Sequence, residues 1–591
     1  MPPSAEHHAY GTFCYPLDAD TLCISIKTGK DVDRVVLFWN DPYKPELAQT
    51  ELERKALLYA SVWSACVRPP FKRCHYCFVL YRGAECWLCF ENGFTPYSQS
   101  AIYDGRYEFF KFPWMNSADI IAPPEWAKAA VWYQIFPSRF SKSKHNNVPN
   151  LHEWAGPDTP VTNSEKYGGD MDGITERLDY LADVGITGVY LNPINTSVSQ
   201  HKYDTADYLT IDSDFGDSAS VRRFVAEAHK RSMRVMLDGV FNHSGWQFFA
   251  WQDVVQNRQK SKYADWFMVN DWHFISKPCD NAANGRYYTF SFTDKMPKLN
   301  TNNSEVRAYL IDVVKQWIRE YDIDALRLDV ANEVSHRFLK ELRLAVKSLK
   351  PDFFIVGEIW TDSTPWLRGD ECDSVIHYPL RTVITDFVRS KERTAGWLEQ
   401  ELNRCQLMYE AQTVSVLLTQ LDSHDTPRFV HTVGDRELAR LSFALLFSLP
   451  GSACLYYGTE VLLNGGPDPD CRRCMPWKEI AEGRYNDELD FFRTLISLRK
   501  GHEAMRCAVG SFLYDDCCGA GERTVRFTKE CSGETLLFVF HFSEEPVRLP
   551  VPDGMAIRSV LLSRSFVIET EETGKAVMDI SRYGFAVMQI Q

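Results

Sequence analysis

The sequence has no excess of basic residues. Its 65 Lys and Arg stand against 79 Asp and Glu, a net charge of -14 over 591 residues. Nucleic acid and anionic membrane surfaces both select basic partners, so the charge excludes both as expected ligands. No apolar run is long enough to span a bilayer. The opening residues, Met1-Pro2-Pro3-Ser4-Ala5-Glu6-His7-His8, lack a basic stretch followed by an apolar core, so no signal peptide is read there. A regular cysteine framework is missing too. The 17 cysteines are odd in number and scattered, and without an export signal the expected state is reduced thiols in a cytoplasm.

What is present reads as ordinary soluble globular protein, with 45% hydrophobic and 24% charged residues. A chain of this length exceeds one core and predicts about three or four domains. Residues 1–122 carry short alternating runs such as Val35-Val36-Leu37-Phe38-Trp39, which predict an antiparallel β-sandwich. From 123 to 505 the pattern becomes strand–helix alternation. Strands are expected at 131–136, 188–193, 234–240, 325–330, 353–359, 374–378, 414–421 and 453–457. Eight βα units predict an α/β fold of the (β/α)8 TIM-barrel type. Residues 242–303 are too many for one βα loop and predict a small domain inserted after strand 3. Residues 506–591 return to short β runs and predict a C-terminal β-sandwich.

Two of these strands end in bare carboxylates. Asp329 closes Ala325-Leu326-Arg327-Leu328, and Glu358 closes Phe353-Phe354-Ile355-Val356-Gly357. An unpaired buried charge is costly, so such groups have partners or chemistry to do. Chemistry in a barrel collects at the C-terminal strand ends. There one carboxylate could act as nucleophile and the other as proton donor, as glycoside hydrolysis needs. The plain alternative is a pair of structural ion pairs with arginines.

Four segments decide between these readings: Asp238-Gly239-Val240-Phe241-Asn242-His243, Leu326-Arg327-Leu328-Asp329, Gly357-Glu358-Ile359-Trp360 and Ser423-His424-Asp425. In order and strand placement the chain resembles the α-amylase family of retaining glycoside hydrolases. Met296-Pro297-Lys298-Leu299-Asn300 and Val330-Ala331-Asn332-Glu333 resemble its cyclomaltodextrinase, maltogenic amylase and neopullulanase branch. The resemblance implies Asp329 as nucleophile, Glu358 as general acid and then base, and Asp425 as a grip on sugar hydroxyls. It implies His243 and His424 as hydroxyl-binding histidines, Tyr203 as an aromatic platform and Trp360 as a stack on the leaving side. Asp468 and Arg472 match a pair shaping the non-reducing side, and Glu333 a residue linked to acceptor choice. Alone, His243 reads as a structural histidine, and Tyr203 and Trp360 as packing.

Elementary chemistry agrees with the central roles. Arg327 lies two residues before Asp329, on the same strand face, where a guanidinium keeps a nucleophilic carboxylate ionised. Glu358 has to hold its proton until the leaving oxygen needs it. A retaining geometry expects the two carboxyl groups roughly 5–5.5 Å apart. The expected activity is cleavage of α-1,4 bonds in cyclodextrins and short maltooligosaccharides, mainly to maltose, with some pullulan cleavage and transglycosylation. Maltogenic amylase or neopullulanase activity is the alternative within this class. A non-catalytic glucan-binding protein and a glucanotransferase are alternatives outside it. The resemblance also implies a starch-binding-like first domain and a homodimer in which that domain covers the partner's cleft.

Two patterns bear on metals. Relatives bind calcium in an oxygen-rich loop after the first barrel strand. Here the loop reads Phe140-Ser141-Lys142-Ser143-Lys144-His145-Asn146-Asn147, and lysine offers no oxygen ligand. The expectation is no calcium, with a lysine near Asp170 in its place. Cys74, Cys77, Cys86 and Cys89 form two C-x-x-C pairs. They lie in apolar runs whose residues alternate faces, which favours buried thiols over zinc. No cofactor is expected.

Overall fold

The computed structural model describes residues 1–507, 511–512, 523–571 and 575–591. It separates into two compact units. The first holds Met1–Ala122 together with Ser390–Val414. The second holds Pro123–Arg389, the last two barrel strands and the C-terminal sheet.

In the first unit two antiparallel sheets face each other. One is centred on Leu22–Thr28 and Ser61–Val67, the other on Arg34–Asn40 and Cys74–Arg82. Leu22, Ile24, Ile26 and Trp63 of one meet Val35, Leu37, Phe78 and Leu80 of the other in a shared core. Alternate residues point inward, as a sandwich requires. Cys74 and Cys89 pack in this core, whereas Cys77 packs in a second cluster with Val79 and Leu88. The four C-x-x-C cysteines therefore do not converge. The expectation of reduced thiols throughout needs a correction. Cys23 and Cys66 are direct partners on neighbouring antiparallel strands, 4.1 Å apart at Cα, and are joined as a disulfide. Strand register made the pair, and register is invisible in cysteine spacing. The segment 390–414 joins this unit through Asn403, which donates to the Ala56 carbonyl at 3.1 Å, and Gln412, which donates to the Pro16 carbonyl at 2.8 Å.

The second unit is built on eight parallel strands: β1 (Val131–Ile135), β2 (Gly188–Leu191), β3 (Arg234–Gly239), β4 (Ala325–Leu328), β5 (Phe354–Gly357), β6 (Ser374–Val375), β7 (Leu418–Thr419) and β8 (Ser452–Tyr456). They pair in chain order, β8 returns to β1, and a parallel bridge from Ile376 to Leu418 joins β6 to β7. This is the TIM barrel that the alternating pattern predicts. Trp132, Tyr190, Met236, Ala325, Phe354, Val356, Leu418 and Cys454 fill its interior. A filled lumen leaves the strand ends as the place for chemistry.

Helices between strands follow the sequence signals closely. Ser304–Tyr321 begins at Asn303, whose side chain accepts from the amides of Glu305 and Val306. His336–Leu349 begins at Ser335, whose side chain accepts from Phe338. Between β3 and the Ser304–Tyr321 helix lies the expected insertion, held by Trp251, Phe267, Phe274 and Tyr287 stacked around one another. Among the described residues the C-terminal region is a six-stranded antiparallel sheet dominated by the paired strands Ile557–Thr570 and Ala576–Ile590. Arg564 ties it to Glu437 and Asp487 on barrel helices. Among the described residues no helix is long and apolar enough to cross a membrane.

Candidate active site

The two carboxylates reach the same rim because the ladder runs on past β4 and β5. The Asp329 amide bonds the Gly239 carbonyl at 3.1 Å, and the Glu358 amide bonds the Leu328 carbonyl at 2.9 Å. Gly357 precedes the acid for a steric reason: a Cβ there would lie 3.2 Å from Cys372 Sγ and 3.3 Å from Ala331 Cβ. After Asp329 the chain turns sharply. Val330 adopts φ +47°, a left-handed conformation that a β-branched residue rarely takes. Such strain persists only where the surroundings enforce it, and it clusters at functional sites. Here the turn aims the Val330 amide at Glu358 Oε2, 3.0 Å away.

Arg327, fully buried, organises the rim. Its Nη1 lies 2.8 Å from Asp329 Oδ1 and 2.8 and 2.9 Å from the two Asp238 oxygens, and its Nη2 lies 2.7 Å from Glu358 Oε2. Arg327 meets Asp329 as expected, and the same guanidinium is shared with two further carboxylates. Register explains the sharing, because Asp238 is the direct β-partner of Arg327. The charges therefore do not balance locally. Burial pushes the Asp329 carboxyl well above the ordinary carboxylate range. Arg327 opposes that, while the negative Glu358, Asp238 and Asp425 add to it.

These groups open into a cleft of about 470 Å³. Such a volume suits a short glucan segment. Tyr203 and His424 stack in parallel, with ring centroids 5.4 Å apart and planes within 7°. Tyr203 Oη bonds Asp238 at 2.9 Å and His424 Nε2 at 2.6 Å. His243 bonds the Tyr203 carbonyl at 3.1 Å. Burial pulls the His243 imidazole down to about 3 and His424 well below its usual value, with the Arg472 and Arg327 charges adding at His424. Both stay neutral in the working range.

Trp360 donates to Glu358 Oε1 at 3.1 Å and stacks on Tyr378 at 3.7 Å. It is 48% exposed, so the ring is backed on one face and open towards the cleft. On the opposite side Arg472 bonds Asp468 at 2.8 Å and approaches Asp425 at 3.7 Å. Glu333 stands apart from the lining residues, with its carboxylate 3.2 Å from Lys298 Nζ. Lys298 also bonds the Asn242 side chain. Cys471 and Cys474 are free thiols, and Cys471 Sγ lies 3.3 Å from the His424 carbonyl.

The family models of the α-amylase catalytic domain and the α-amylase N-terminal ig-like domain match residues 134–506 and 1–116. The chain belongs to the α-amylase family. It is 38% identical to a cyclomaltodextrinase of Geobacillus thermopakistaniensis over 99% of each chain. It is 41% identical to an intracellular maltogenic amylase of Bacillus subtilis over 84% of each. A solved cyclomaltodextrinase structure superposes with a TM-score of 0.89 at 33% identity, over 99% of each chain.

Within this α-amylase-family cleft, sequence reasoning missed several neighbours. Asp238 is in a quoted motif, but its bond to Arg327 needed the register. Asn163, His201 and Phe290 line the cleft from loops and from the insertion, where periodicity carries no signal. The loop after β1 departs from the calcium expectation in one respect. Lys142 and Lys144 point to solvent. Asp170 is instead satisfied by Ser143 Oγ at 2.8 Å, Asn146 Nδ2 at 2.7 Å and the Gly173 amide at 2.6 Å. Every one of these partners is a donor. In this structure the carboxylate is occupied by these hydrogen bonds.

Proposed function

We propose that this glycoside hydrolase is a retaining α-glucan hydrolase of the cyclomaltodextrinase type. It acts on α-1,4 bonds of cyclodextrins and short maltooligosaccharides and releases mainly maltose. One observation carries the reading: Asp329 and Glu358 stand on adjacent strand ends, bridged by Arg327, and open into one cleft. Asp329 attacks the anomeric carbon while Glu358 protonates the departing oxygen, leaving a glycosyl ester on Asp329. Glu358 then takes a proton from the incoming water, which cleaves the ester with net retention. Asp425, His243 and His424 hold hydroxyls of the cleaved sugar, Tyr203 supports its face, and Trp360 meets the departing sugar.

The names of the similar proteins and the modest cleft support small substrates. Initial rates decide the subtype. On equal masses of substrate, β-cyclodextrin is expected to be hydrolysed at least as fast as soluble starch. A cyclodextrin rate well below the starch rate would sink the cyclomaltodextrinase reading.

We further propose that the loop after β1 holds no calcium and that the chain works as a cytoplasmic homodimer. The location rests on the Bacillus subtilis relative, which is named intracellular. One sample tests the rest. After EDTA treatment and calcium addition, metal analysis is expected to find no tightly held ion, and light scattering to give the mass of two chains. A retained ion or a single-chain mass would refute the corresponding part.

A further inference from the structure

One wall of the cleft has no part in the mechanism above. Asn163 lines it from an irregular surface segment and is itself exposed, outside any helix or strand. The segment is nonetheless held with care. Arg139 is 2% exposed, and its Nη2 donates to the carbonyls of Thr162 at 2.8 Å and Glu165 at 3.1 Å. Those two carbonyls flank Asn163. Glu165 Oε2 accepts from the Thr162 amide at 2.6 Å, which closes the turn. Arg139 itself is fixed through its own carbonyl, which accepts from Met475 at 3.0 Å, and through the Tyr167 ring 4.6 Å from its guanidinium. Burying a guanidinium to bond backbone carbonyls is costly, and it makes sense where the position of the turn matters.

The Asn163 amide is also oriented. Arg472 Nη1 lies 3.3 Å from Asn163 Oδ1. A guanidinium only donates, so the amide oxygen must face it, and the Nδ2 end is left to donate into the cleft. The direction of the chain in the cleft follows from the acid. Glu358 protonates the departing oxygen, so departing sugars lie beside Glu358 and Trp360. The retained sugars lie on the other side, beyond Asp425. Arg472 contacts Asp425 there and contacts Asn163 in turn, which places Asn163 one sugar further out.

We propose that Asn163 is a specificity-determining residue that donates from Nδ2 to a hydroxyl of the second retained glucose unit. This deepens the reading under Proposed function and rests on it. A ligand at that position favours donors of two glucose units over donors of one, which matches release of maltose.

The test uses the full chain with Asn163→Ala and two donors that differ by one sugar, α-maltosyl fluoride and α-glucosyl fluoride. Asn163 is exposed, so the variant is expected to keep the wild-type thermal midpoint. Loss of one hydrogen bond is expected to lower kcat/KM on α-maltosyl fluoride about three- to tenfold, with α-glucosyl fluoride changed less than about twofold. Equal losses on both donors would overturn the assignment, because a general disturbance of the cleft does not count sugars. No loss on α-maltosyl fluoride would overturn it as well. A wild type that turns over neither fluoride would instead overturn the glycosidase reading and the Asn163 assignment with it.

Discussion

Asp329→Asn will lower kcat/KM on β-cyclodextrin by on the order of 10⁴-fold or more, while leaving the protein at least as heat-stable as the wild type at neutral pH. The activity loss follows from removing the only group proposed to bond the anomeric carbon. The stability gain follows from the crowding around Arg327, where one cation faces Asp238, Asp329 and Glu358. The folded-state pKa of Asp329 is raised, so its contribution to stability is full below the unfolded value near 4 and is lost as pH rises through the folded value. At neutral pH the ionised carboxylate therefore costs stability, and the neutral isostere removes that cost. A rise of roughly 1–3 °C in thermal midpoint is expected at pH 7, shrinking towards pH 4. The same shift places the acid limb of wild-type kcat/KM above the usual aspartate range, since the nucleophile must be ionised. A variant less stable than wild type across this window would show that Asp329 is a structural ion-pair partner rather than a strained functional group.

Glu358→Gln will separate proton donation from nucleophilic attack. On β-cyclodextrin the leaving group is a sugar alkoxide that needs a proton, so the variant is expected to lose about 10²–10⁴-fold. On α-maltosyl fluoride the leaving group departs without one, so formation of the ester is expected to survive. Its hydrolysis is expected to slow, because no base remains to activate water. The glutamine amide has one acceptor oxygen; placed at the Oε2 position it keeps the bonds from Val330 and Arg327 and gives up the one from Trp360, so the turn at Val330 retains its partner. Equal losses in the rate of ester formation on both substrates would argue that Glu358 acts through structure and not as an acid.

The parts of this account that could be read from sequence were those written along one strand. Each barrel strand was recognisable as an apolar run, and the polar residue at its end stood out because burial gives it no structural purpose. Asp329, Glu358, His424 and Asp425 are of that kind. The parts that could not be read depend on which strands lie side by side. The Asp238–Arg327 bond and the Cys23–Cys66 disulfide are both products of register. The left-handed Val330 was hidden too, because nothing local in a valine predicts a positive φ. Asn163 was hidden for a different reason: its loop is placed by Arg139, which sits 24 positions earlier. The segment 390–414 was assigned to the barrel by its place in the chain, but its hydrogen bonds run to Pro16, Leu17 and Ala56.

The central claim is that Asp329 carries the sugar and Glu358 handles the proton. The most direct test is to mix Glu358→Gln with α-maltosyl fluoride, quench in acid, digest, and locate the adduct by mass spectrometry. The account predicts a single maltosyl unit on the peptide containing Asp329, accumulating because the second step is slowed. An adduct on Asp238 or Asp425, or wild-type turnover with no adduct anywhere, would contradict it.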